Sequence, residues 1–205
     1  MASYLITVSG IFIACLLAVA LQIILFSPIS PVPLEIPQPS STLSNCKLQG
    51  LLKVNEEGVT VLASHVNGAK IRFADDVVES SDGMLYFSVP STKFDMHNGE
   101  LDVLEARPHG QLLRYDPSSN ETSILLRDLR FPNGVALSEQ QDYLVFCETW
   151  KYRCLKYWLK GDIKGQTQIF IDNLPGAPDN VKLAPDGSFW IALLQFIPSK
   201  LRFIH

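Results

Sequence analysis

The chain has 205 residues with 17 basic and 21 acidic side chains, a formal net charge of −4, and 47% hydrophobic residues. No basic run is present to follow a phosphate backbone, so nothing points to a nucleic-acid partner. The length suits one soluble domain or two, but the apolar residues are not spread evenly.

Tyr4 to Phe26 is a run of 23 residues in which only Thr7, Ser9, Gly10 and Gln22 are not apolar, and no charge occurs before Glu35. About 20 helical residues cross a hydrocarbon core of about 30 Å, so the run predicts a transmembrane anchor over 4–26. A cleaved signal peptide is the alternative. Ala18-Val19-Ala20 has the small-x-small pattern of a cleavage site, but a signal's apolar region is usually about 7–15 residues with basic residues before it. Orientation is not legible from Lys/Arg asymmetry, because the first basic residue is Lys47. Residues 27–45 then carry five prolines, Pro28, Pro31, Pro33, Pro37 and Pro39, which break a helix and favour an extended linker. The globular part is 46–205, long enough to bury a core.

From there the hydrophobic period is two. Leu85-Tyr86-Phe87-Ser88-Val89, Tyr143-Leu144-Val145-Phe146-Cys147 and Phe189-Trp190-Ile191-Ala192-Leu193 are short apolar runs punctuated by Gly, Pro, Asp and Asn, the pattern of an all-β chain. The runs recur as two alternating hairpins. Asp75-Asp76-Val77-Val78, Asn133-Gly134-Val135-Ala136 and Asp179-Asn180-Val181-Lys182 open the first hairpin three times, 58 and then 46 residues apart. The second follows at 110–126 and 155–171, with an early copy at 50–62. Four strands per about 40–50 residues is the repeat of a β-propeller blade. The expectation is half a blade at 50–64, full blades at 74–127 and 133–172, half a blade at 179–194, and an insertion at about 91–109. Three blades fall short of the four to eight of closed propellers. The chain is therefore expected to be part of a larger protein or to close its ring with another chain, through open edges prone to self-association.

In a propeller the first strand of each blade lines the central channel. Asp75, Asn133 and Asp179 are expected just before those strands, where three oxygen side chains would face one axis and suit a hard cation such as calcium. Short polar residues before strands also make local turns and nothing more. His109, ahead of Gly110, reads either as a general base near the channel mouth or as a surface-loop histidine. Cys147 and Cys154 flank a turn-like hexapeptide; pairing of the flanking strands would put them within disulfide reach, but the expectation taken is a pair of half-buried free thiols. Cys15 lies in the apolar segment. Asn120-Glu121-Thr122 is a glycosylation sequon between two strand-like runs.

Phe73-Ala74-Asp75-Asp76-Val77-Val78, His109-Gly110-Gln111-Leu112-Leu113-Arg114-Tyr115-Asp116-Pro117, Phe131-Pro132-Asn133-Gly134-Val135-Ala136-Leu137-Ser138, Glu148-Thr149 with Arg153, and Pro178-Asp179-Asn180 occur in order, and in this they resemble the plant strictosidine-synthase-like family. The resemblance covers nearly all of 50–195, with the family's conserved region at about 74–162, and the apolar segment resembles that of the adipocyte plasma membrane-associated protein group. It implies a six-bladed β-propeller related to calcium-dependent lactonases and arylesterases, of which about three blades are present and both ends of the ring are missing. It implies calcium at Asn133 and Asp179. Asp75 stands one residue off the asparagine of the family's Asn-Asp motif, and the first-blade glutamate and last-blade catalytic glutamate have no counterpart. Calcium is therefore expected to bind weakly or not at all, and no catalytic residue is assigned. The resemblance further implies a small-molecule substrate: ester or lactone hydrolysis, alternatively Pictet–Spengler condensation in alkaloid biosynthesis, alternatively a propeller that only binds. With the anchor it implies a single-pass glycoprotein of the endomembrane system, endoplasmic reticulum or vacuole, with a lumenal globular part.

Overall fold

The structure, a computed structural model, describes residues 50–196. The anchor expected at 4–26, the linker expected at 27–45 and Cys15 lie outside the described residues. No helix among the described residues is long and apolar enough to cross a membrane.

Alternation of apolar and polar residues, cut by turn residues, produces antiparallel hairpins in strict chain order. β1 (Leu51–Asn55) and β2 (Gly58–Ala63) form a two-stranded sheet, followed by the small hairpin of β3 (His65–Val66) and β4 (Ala69–Lys70). β5 (Val77–Glu79), β6 (Leu85–Val89), β7 (Gly110–Asp116) and β8 (Glu121–Leu129) make a four-stranded sheet in that order. β9 (Pro132–Leu137), β10 (Tyr143–Glu148), β11 (Arg153–Trp158) and β12 (Thr167–Ile171) make a second, and β13 (Gly176–Leu183) pairs with β14 (Phe189–Phe196). The strands stand where the two alternating hairpin motifs put them. The small β3–β4 hairpin is additional; two-residue strands leave no periodicity to read.

The turn between first and second strands is built the same way each time. Ser80 N donates to Met84 O, Ser138 N to Tyr143 O and Ala184 N to Ser188 O, closing turns in which Gly83, Gln141 and Gly187 take positive φ. Glycine adopts that conformation freely; Gln141 holds it in a turn one residue longer.

The sheets stack face to face, with three apolar layers between them. Leu51, Ala63, Val66 and Ile71 pack on Phe87, Val89, Leu113 and Tyr115. Tyr86, Leu112 and Leu129 pack on Val135, Leu137, Leu144, Phe146, Leu155 and Tyr157. Ala136, Val145 and the two cysteines pack on Val181. Phe87 and Phe146 are wholly buried, each contributing roughly 1.5–3 kcal/mol from area removed from water. This stacking of four-stranded antiparallel sheets, each with its first strand next to the first strand of its neighbour, is propeller architecture.

Cys147 and Cys154 form a disulfide, with Cα atoms 3.9 Å apart, which corrects the expectation of free thiols. The register explains it: the two residues sit directly opposite each other on β10 and β11. Both side chains are buried in the same apolar layer. Sequence spacing showed a hairpin but not which residues faced each other across it.

Candidate functional site

β5, β9 and β13 are the first strands of successive sheets, and their registers coincide. Val77 opposes Phe87, Val135 opposes Phe146 and Val181 opposes Ile191. Asp75, Asn133 and Asp179 each precede that valine by two residues, so all three occupy one equivalent position, whatever the offset of Asp75 from the family motif. In β9 and β13 the ladder slips around this position, between the Phe146 and Glu148 pairs and between the Pro178 and Val181 pairs. Such bulges re-aim a side chain beside functional sites.

The strands are clamped together here. The Oδ2 of Asp76 accepts a 2.9 Å hydrogen bond from Val135 N, tying β9 to the chain just before β5. Gly134 lies against the backbone of 179–181, where even a Cβ has no room. The Oγ1 of Thr149 donates to Pro178 O at 2.8 Å, tying the end of β10 to β13.

Asn133 is buried, and its Oδ1 has no hydrogen-bond partner. A buried amide oxygen without a partner costs about 1–3 kcal/mol, so its retention asks for a ligand. Asp75 carries the complementary signal. The protein around it, then the charge of Asp179, then that of Asp76, push its carboxyl from 3.8 up to about 6, although its side chain keeps contact with solvent. Two carboxylates close enough to repel, plus an orphaned amide oxygen in the same register, are the donor types a hard cation takes. No group of three or more His, Cys, Asp or Glu among the described residues is arranged to hold a metal; the fit depends on the asparagine and covers part of a coordination shell.

The raised Asp75 value has a sign. The fold favours the protonated form, so the contribution to stability is greatest below about pH 4, falls as pH rises through about 6, and is flat above. Asp75→Asn stays neutral throughout. With chelator present, it is expected to melt close to the parent near pH 4 and a few degrees above it at pH 7. An identical shift at both pH values in thermal melts would remove Asp75 as the source.

Antiparallel order puts the start of β5 and β9, the end of β6 and β10, and the start of β7 and β11 at one end of the sheets. The insertion between β6 and β7 therefore stands at the same end as Asp75 and Asn133. It contains a single turn at Met96–Asn98 and α1 (Gly99–Glu105). α1 ends at Ala106, whose carbonyl accepts from the Arg130 guanidinium. Within the insertion His109 Nε2 lies 3.3 Å from Glu105 Oε2, and the Lys93 ammonium lies 2.6 Å from the same oxygen. The histidine ring packs edge-on to Phe94. His109 is thus mostly buried against α1 and belongs neither to the three-residue register nor to an exposed loop. Burial raises the Asp102 carboxyl above the usual range, with Ser91 and His109 pulling it back.

Two groups at this end went unread as site residues. Glu148, fully buried, accepts from Arg130 N at 2.7 Å, from Arg153 Nε at 2.7 Å and from Arg153 Nη2 at 2.5 Å. Trp150 packs at a tilt on Phe131, with ring centroids 4.9 Å apart, and Phe131 meets Phe73 edge-on at 5.9 Å. The signal for Glu148 was a carboxylate ending a wholly apolar strand, which surface placement does not explain.

The sequon residue Asn120 is exposed at positive φ in the β7–β8 turn, and its Oδ1 accepts a 2.9 Å hydrogen bond from the Tyr115 hydroxyl.

Comparison with solved structures supports the architecture. A gluconolactonase from Xanthomonas campestris superposes with a TM-score of 0.57 at 18% identity, over 71% of this chain and 49% of that one. At that identity the likeness defines the fold class, a β-propeller. The family is narrower: the chain belongs to the strictosidine-synthase-like family, whose strictosidine synthase model matches residues 75–162. Strictosidine synthase-like 6 of Arabidopsis thaliana is 42% identical over 71% of this chain, and strictosidine synthase-like 13 of the same plant is 44% identical over 70%. The adipocyte plasma membrane-associated protein of Mus musculus is 36% identical over 70%. The chain spans 39%, 36% and 36% of the lengths of these three relatives.

Proposed function

We propose that this chain is part of a membrane-anchored propeller that hydrolyses esters or lactones, with a divalent cation, calcium, held by Asp75, Asn133 and Asp179 at the channel end. The observation that carries the reading is the buried, unpartnered Oδ1 of Asn133 in register with Asp179 and with Asp75, whose carboxyl is raised by burial and then by the Asp179 charge. Calcium, when bound, would polarise a substrate carbonyl. The chain's own residues do the rest. Asp76 and Thr149 hold the three strand starts in place through Val135 N and Pro178 O, and the half-buried Phe73 and Trp150, packed on the buried Phe131, offer an apolar surface at the same end for the substrate's carbon frame. The likeness to a gluconolactonase supports a lactone as one substrate class.

Three ligands of which one is neutral, with water completing the shell, imply weak binding, on the order of 10⁻⁴–10⁻³ M. Isothermal calorimetry on the 205-residue chain is expected to show it and to lose it in Asp179→Ala. Micromolar binding unchanged by Asp179→Ala would refute the assignment. In a chain extended to the length of the relatives, hydrolysis of phenyl acetate or a γ-lactone that stops with chelator is expected; condensation of tryptamine with secologanin in its place would move the reading to the synthase class.

The apolar segment at 4–26 and a disulfide, which suits an oxidising compartment, support a lumenal domain on a single-pass anchor. A glycosidase-sensitive mass that vanishes in Asn120→Gln, with retention in the pellet after carbonate extraction, is the expected result. A carbonate-soluble protein without the mass shift would contradict it.

A further inference from the structure

α1 packs inside out. A helix on a protein core buries its apolar residues and shows water its polar ones. Here the one buried residue is Asp102, and its two carboxylate oxygens are enclosed without a hydrogen-bond partner. Leu101 and Val103 on either side are 41% and 42% exposed, Leu104 is 79% exposed, and Met96 in the preceding turn is 75% exposed. The cause lies beneath the helix. Ser91 follows β6, His109 precedes β7 and Arg130 precedes β9, so all three stand at this end of the sheets, and all three act on the Asp102 carboxyl. Arg130 also holds the Ala106 carbonyl where the helix ends. A polar floor takes the carboxylate and leaves the leucines facing out, where wet apolar area forgoes its stabilisation. The sheet that bears α1 already has a described sheet packed on each face, β1–β2 on one and β9–β12 on the other. A cover for the leucines therefore comes from beyond the end of the sheets.

The path of the chain says what lies there. β2 leads into the first strand of the next sheet, as β8 and β12 do, so β1 and β2 are third and fourth strands. The ladder agrees: it slips in β1 between Leu51 and Leu52 as it slips in β7 between Leu112 and Leu113. Third strands start at the α1 end. The chain thus enters the sheets, at Gly50, at the end where α1 stands, and the residues before it include the apolar run 4–26 and the proline stretch 27–45. The sequon residue Asn120 lies in the β7–β8 turn, at the opposite end. Cations rim the apolar face. The Arg107 side chain is 74% exposed and that of Lys93 51%, both beside Glu105. Their aliphatic stems and charged tips suit a membrane interface.

We propose that α1 and the turn before it dock the propeller on the bilayer, with Met96, Leu101 and Leu104 seated in the lipid interface. The docking rests on the anchored reading given above. Lipid is the occupant because the chain arrives at this end from the apolar run, because Lys93 and Arg107 match phosphate headgroups, and because the sequon stands at the far end, clear of the membrane. A patch of about one helical turn binds a bilayer weakly by itself. On a tethered chain the encounter is intramolecular, and weak contact suffices. The channel end bearing Asp75 and Asn133 then faces the lipid.

Photocrosslinking tests the occupant. p-Benzoylphenylalanine is placed at Leu104, at Ser119 in the β7–β8 turn, or at Leu16 in the apolar run, each in the 205-residue chain inserted in vesicles of phosphatidylcholine and phosphatidylserine. Lipid adducts are expected at Leu16 and Leu104, several-fold above that at Ser119. An adduct at Leu16 with none at Leu104 overturns the docking and leaves the anchor standing; no adduct at either overturns both. Leu104 bonded to residues 27–49 or to a second chain, in place of lipid, also overturns the docking and names the true cover. Leu101→Glu is expected to cut the Leu104 adduct several-fold without lowering the melting temperature, and an unchanged adduct would count against the seat. Should the photoprobe chains fail to fold, Leu104→Cys with Cys15→Ala and Cys46→Ser, carrying a polarity-sensitive dye, gives the same reading: quenching by nitroxide-labelled lipid supports the docking, and the emission of a dye in water refutes it.

Discussion

Gly134→Ala is expected to destabilise the stacked sheets by about 3 kcal/mol, at the upper end of the usual overpacking range. A Cβ at this position would stand 2.4 Å from Val181 N, 2.5 Å from Asp179 O and 2.7 Å from Asn180 C. All three are backbone atoms, so no rotamer change makes room, and β9 must separate from β13. Against a total of about 5–15 kcal/mol, that is a large share. Urea unfolding measures it. Gly83→Asn is the control: its Cβ would meet nothing within 4 Å, and asparagine tolerates the positive φ. Equal midpoints for the two variants would show that the inner strands part freely. Because Asn133 and Asp179 flank the contact, Gly134→Ala is also expected to abolish any cation affinity before the fold is lost.

Glu148→Ala is expected to cost about 3–5 kcal/mol, the penalty for stranding a buried pair's partner. The carboxylate ties Arg130 N, at the approach to β9, to the guanidinium of Arg153, at the start of β11. Its removal leaves a main-chain donor and a half-buried cation without their acceptor. Glu148→Gln keeps the shape and is expected to cost less. A double-mutant cycle with Arg153→Met separates the ion pair from the main-chain bond. Additive effects would mean that the 2.5 Å contact contributes nothing.

Strands and their order were legible because period-two runs and turn residues repeat three times over. Asp75, Asn133 and Asp179 were legible for the same reason: a position that recurs two residues before a valine is visible in one dimension. The Glu148–Arg153 pair was not, since four residues of turn separate the partners and only the cross-strand register sets them opposite each other. The disulfide needed the cross-strand register, which spacing does not encode. His109 was ambiguous because its environment comes from α1, and α1 sits in the insertion between β6 and β7, which departs from the repeat.

That stretch is closed at its ends and tied to the sheets through the Ala106 carbonyl, which accepts from the Arg130 guanidinium. Val89 still opposes Gln111, and Thr92 donates to His109 O through both its amide and its hydroxyl, so the hairpin is closed before the insertion begins. A change of length between residues 93 and 105 that spares the Ala106 contact need not propagate into the sheets. On the function proposed above, this segment is the part of the channel end that can vary in length while the blades stay fixed.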